Sequence, residues 1–112
     1  MAPKVKTNQD FLRKVYKGPA KARKQAVVSA TSNQIKALCE CAANACSGRF
    51  IIKPSLRKQL KAKEANLIRL AYNKEPLEVK KRLLIQSGGA LPVLAALGLS
   101  ALGSLIPSIF GR

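Results

Sequence analysis

Three cysteines are the residues of this chain best suited to metal or redox chemistry, and their number and spacing argue against both. Cys39 and Cys41 are separated by one residue, and Cys46 follows five further on. Structural zinc takes four thiolate or imidazole ligands, usually with a turn between paired ligands. Here there is no fourth cysteine and no histidine at all. On a helix, Cys39 and Cys46 share one apolar stripe while Cys41 points elsewhere, which reads as thiols serving as small hydrophobes. An odd cysteine count builds no disulfide framework, so a reducing compartment is expected. The lack of histidine also removes the commonest general base. Five carboxylates scattered among basic residues do not replace it. The expectation is a protein that is not an enzyme and uses neither metal nor cofactor.

The chemistry that remains is ionic. Lys and Arg number 21 against 5 Asp and Glu, a formal net charge of +16. Such self-repulsion opposes compaction unless a polyanion neutralises it. Phosphate backbones do so by exchanging condensed counterions for Lys and Arg, and an anionic membrane surface is the competing partner. The candidate phosphate contacts are Arg13, Lys14, Lys17, Lys21, Arg23 and Lys24 in the first third of the chain. Lys53, Arg57, Lys58, Lys61, Lys63, Arg69, Lys80, Lys81 and Arg82 complete the set. Solvated helices ordinarily mix both signs of charge, whereas the helix expected from Pro54 to about Asn73 leaves its cations almost unpaired. No zinc-finger, homeodomain, RRM or OB signature is visible, and no aromatic pair is placed to stack bases. Binding is therefore expected to follow the backbone rather than the sequence of the nucleic acid.

The elements that position these cations read as an all-α fold: a small helical bundle with a basic N-terminal arm and an apolar C-terminal helix. Residues 1–31 form the arm, with short helices. Asp10 stands where it can cap one that places Phe11, Leu12, Val15 and Tyr16 on one face, and Gly18-Pro19 stops it. Residues 32–86 form a basic helical body. Its best-marked helix starts at a capping-box pair, Thr31 with Gln34, runs through Ile35, Leu38, Cys39, Ala42, Ala43 and Cys46, and ends at Gly48. A second helix is expected from Pro54 to about Asn73. A third follows Pro76, with Glu78 near its start and Lys80, Lys81 and Arg82 near its end, the polarity favoured by the helix dipole. The N-terminus lacks the apolar run of a secretory signal.

Residues 87–89 are a Gly-rich junction, expected to be extended and exposed, and 90–112 an apolar tail whose only charged side chain is Arg112. Its helix is expected to start at Pro92. From there to Ile106 it would measure about 22 Å, against roughly 30 Å of hydrocarbon. Leu91, Leu94, Leu97, Leu102, Leu105 and Ile106 are the candidate membrane contacts. A membrane-active segment, a self-associating helix and a core helix packed in cis all fit this composition.

At Gly88-Gly89-Ala90-Leu91-Pro92-Val93-Leu94 the chain resembles a known family. A basic stretch, Gly-Gly, aliphatic-Leu-Pro-aliphatic-Leu and an Ala/Gly/Leu/Ile tail is the order found in precursors of the adenovirus mu core protein, or protein X. The fuller layout, a Lys-rich helical body ahead of that tail, is similar to short basic virion proteins of adintoviruses and Maverick elements. The match covers about residues 80–112, and the adenovirus body is Arg-rich and of low complexity where this one reads as folded. The resemblance implies a viral core protein that binds and condenses double-stranded DNA, located in the virion and, during assembly, in the host nucleus. It implies cleavage between Gly89 and Ala90 by the viral cysteine protease, and contact with capsid proteins. The protease pattern prefers Ile, Leu or Met four residues before the cut; Gln86 stands there, with Ile85 one place early. Two other classes remain open: a membrane-associated or membrane-lytic protein whose cations meet anionic lipid, and an RNA- or ribosome-associated protein.

Overall fold

The computed structural model describes residues 6–46 and 54–101, and it is all-α, a small helical bundle with no strand among those residues. Its helices are α1 (Gln9–Lys17), α2 (Ala20–Val28), α3 (Ser32–Cys46), α4 (Pro54–Ala62), α5 (Glu64–Tyr72), α6 (Leu77–Gln86) and α7 (Ala90–Ala101). α7 lies at the centre, packed against α1, α3 and α4, while α5 closes over the far side of α3. Leu91, Val93, Leu94, Ala95, Ala96, Leu97 and Leu99 are all buried. A helix apolar all round must be enclosed on all sides, and the amphipathic helices supply the enclosure. α1 contributes Phe11, Leu12 and Val15, α3 contributes Ile35, Ala37, Leu38, Cys41 and Ala42, and α4 contributes Leu60. Each fully buried Leu or Ile is worth about 1.5–3 kcal/mol.

Several starts and stops follow the sequence rules. Thr31 and Gln34 form a reciprocal capping box: the Gln34 N–H donates to Thr31 Oγ1 at 3.2 Å, and the Thr31 N–H donates to Gln34 Oε1 at 2.9 Å. Gly18 ends α1, and α2 begins directly after Pro19. α6 begins directly after Pro76.

Four expectations are corrected. The segment read as a basic arm is part of the bundle: residues 6–31 form a helical hairpin, and its first helix has Leu12 and Val15 fully buried against the core. The span from Pro54 to Asn73 breaks at Lys63, where the chain turns from packing on α7 to packing on α3. In α3 it is Cys41 that is buried, with Cys39 intermediate and Cys46 exposed. The reason is that α3 is covered by α5 and α7 together, so its buried arc is wider and centred away from Cys46.

The junction is the fourth. Gln86 to Gly89 is a tight turn, not an extended link. Ser87 is buried in helical geometry, its hydroxyl donating to the Leu83 carbonyl at 2.8 Å. Gly88 takes a left-handed φ of 53°. The Ala90 N–H then donates to the Ser87 carbonyl at 3.0 Å, so α7 begins two residues before Pro92. Pro92 is tolerated there because N–H groups in a first helical turn have no intrahelical partner. Helices α6 and α7 meet at 107° across this turn.

Candidate nucleic-acid interface

α1 and α4 carry the same basic pattern. Arg13, Lys14 and Lys17 on α1 are exposed, as are Arg57, Lys58 and Lys61 on α4. With about 100° per residue, positions i, i+1 and i+4 occupy one outward arc. Buried Phe11, Leu12 and Val15 fix the opposite side of α1, and on α4 buried Leu60 lies to one side of the basic arc. Packing on α7 therefore decides where these charges point. Arg13 meets Asp10 at 3.2 Å, but the carboxylate is 98% exposed, and such a solvated pair is weak. A groove of about 420 Å³ runs beside this face, lined by Arg13, Lys14, Lys17, Gly18, Ala22 and Ala26.

The remaining candidates fall in several settings. Lys21, Lys24, Lys63 and Arg82 are exposed. Arg23, Arg69 and Lys81 each reach a tertiary partner within the fold. Arg23 donates from Nη1 to the Gly18 carbonyl at 3.0 Å, tying α2 back to the end of α1. Arg69 grips one oxygen of Glu75, at 2.8 Å from Nε and 2.7 Å from Nη2, closing the connection after α5. Lys81 donates from Nζ to the carbonyl of Val28 at 2.9 Å, a cation on the C-terminus of α2 where the helix dipole favours it. That contact spans 53 residues, and nothing local in the sequence signals it. Lys80 is half-buried beside Cys39. Lys53 lies outside the described residues.

Of the candidate membrane residues, Leu91, Leu94 and Leu97 are buried within the protein rather than presented outward, because α1, α3 and α4 surround α7. Leu102, Leu105 and Ile106, like Gly48, lie outside the described residues. Among the described residues no single helix is long and apolar enough to cross a membrane; α6 and α7 satisfy that test only as a bent pair. At the candidate cleavage point Gly89 is exposed while Ala90 is buried.

No described group of three His, Cys, Asp or Glu side chains could hold a metal ion. Burial raises the Cys39 thiol, with Lys80 partly opposing it. Burial likewise raises Cys46, and it pushes Cys41 up to about 12, with Glu40 adding to the shift. All three are protonated at neutral pH, so none is a ready nucleophile. No family model matches the chain, and no curated protein or solved structure matches it.

Proposed function

We propose that the chain is a virion core protein that binds and condenses double-stranded DNA through the phosphate backbone, without reading its sequence. The observation that carries this reading is the pair of outward basic faces on α1 and α4, held by a neutral core and answered on α1 only by the solvated Asp10. Five carboxylates face 21 cations, and Glu75 is already engaged by Arg69. Counterion release from DNA answers that imbalance. In this reading capsid proteins and a viral cysteine protease acting after Gly89 are its protein partners, and the virion and host nucleus its locations. The resemblance around Gly88-Gly89 supports that part.

The test is affinity for a duplex measured against salt. With ~6–10 phosphates contacted, affinity falls about 10³–10⁵-fold between 50 and 200 mM salt. Replacing Arg57, Lys58 and Lys61 together by Gln lowers affinity equally on unrelated duplexes and flattens the log–log slope by about 3. Preference for one sequence, or a flat salt response, overturns the reading.

A second reading, a membrane-associated protein, is favoured by the charge-free α7 alone. It requires that helix to leave the core. Dye release from anionic liposomes separates the two: the DNA-binding reading expects intact vesicles.

A further inference from the structure

A cleft of about 610 Å³ lies away from the α1 and α4 faces, between α3 and the connection from α5 to α6. Its apolar lining includes Ala43, Leu70, Ala71 and the Tyr72 ring. Tyr72 is 61% exposed, the most exposed large apolar side chain among the described residues. Lys36 from α3, Lys74 from the connection and Lys80 from α6 approach from different elements. The acids lining the same cleft are Glu40 and Glu75, and Arg69 already neutralises Glu75. Positive charge is therefore in excess around an apolar lining and an aromatic ring.

We propose that this cleft takes one unpaired nucleotide of a nucleic acid strand, its base against the Tyr72 ring and its phosphate among Lys36, Lys74 and Lys80. The inference rests on the nucleic-acid reading above and deepens it. A stacked duplex offers no free base face, so it engages the outward helical faces only. A single strand, a frayed end or a gap offers both the π surface and the phosphate. The volume falls within the range of small-molecule sites, roughly 300–1,000 Å³, which suits a nucleotide and excludes a double helix.

Binding of a single-stranded oligothymidine of about 8 nucleotides and of a blunt duplex, at one salt concentration, tests it. Tyr72→Ala lowers single-strand affinity about 5–150-fold, the loss expected from one stacked base, and leaves duplex affinity unchanged. Tyr72→Phe retains affinity, whereas Tyr72→Leu, which keeps apolar bulk without a π face, behaves as Tyr72→Ala. Lys36→Gln with Lys74→Gln weakens single-strand binding selectively. Equal affinity of Tyr72→Leu and Tyr72→Phe for the single strand overturns the proposal, as do matched losses on both ligands. If the unsubstituted chain binds the duplex but Tyr72 has no effect, the cleft proposal alone falls. If it binds neither ligand, the DNA-binding reading falls as well.

Discussion

A methyl group at Gly18 would stand 2.8 Å from the Lys14 carbonyl oxygen and 3.3 Å from Ala22 Cβ. The first neighbour is backbone of α1's own last turn and cannot swing aside, so Gly18→Ala must distort the end of α1 and its approach to α2. We expect a loss of about 1–3 kcal/mol, the range for overpacking, read as a lower urea midpoint. Gly88→Ala meets nothing within 4 Å and suffers only the left-handed φ of 53°, a loss of about 1–2 kcal/mol. The buried Cys41 makes a pH-dependent prediction. Its thiol holds its proton to about 12 in the folded chain, against 9.0 ordinarily. Between those values the unfolded chain releases a proton that the folded chain keeps, so this group's contribution is intact below pH 9 and declines above it. The clean measurement is the difference from Cys41→Ala. That variant should lose the alkaline decline while its other titrations remain. Native-state alkylation should modify exposed Cys46 well before Cys41.

Among the elements, α3 and α1 carry the sharpest tests. Leu38→Asp puts a carboxylate at a fully buried site on α3, where it must protonate or unfold the bundle; helical circular dichroism should collapse. Leu12→Ala, in a segment whose composition reads as an arm, should cost about 2–5 kcal/mol as a core truncation, whereas Lys21→Gln on exposed α2 should change stability little. Helix existence was legible where caps and periodicity agree, as at Thr31–Gln34 and after Pro76. The apolar face of α1 was legible too, but its partner was not, because the residues it meets lie on α7 at the other end of the described chain. The break at Lys63 carries no proline or glycine to announce it; it arises from a change of packing partner. Cys41 was misplaced for a related reason: a one-stripe reading presumes one neighbour, and α3 has two. For the candidate interface, residue type alone separated nothing. Arg23, Arg69 and Lys81 look like their neighbours in sequence, and only tertiary proximity to Gly18, Glu75 and Val28 assigns them to the scaffold.

For the whole molecule, the net charge of +16 sets two salt responses of opposite sign. Screening weakens repulsion between exposed cations, so the urea midpoint of the free protein should rise with added sodium chloride. The same screening removes the gain from counterion release and should weaken DNA binding. Adding duplex at low salt should raise thermal stability, because a ligand of the folded state shifts unfolding by mass action. A free protein whose stability falls with salt would show that attraction rather than repulsion dominates its surface charges.

The enclosure of α7 by α1, α3 and α4 also has a consequence in time. α1 leaves the ribosome before any of α7 has been made, and neither can bury its apolar face until the other is present. Low-separation contacts such as the α1–α2 hairpin can form early, but the core must wait for distant segments to meet. During that interval the emerging chain is a polycation without its centre, next to ribosomal RNA. Occupancy of the cations by nucleic acid therefore competes with closure of the bundle from the moment of synthesis, and the order in which the two happen decides how much folded protein a cell recovers.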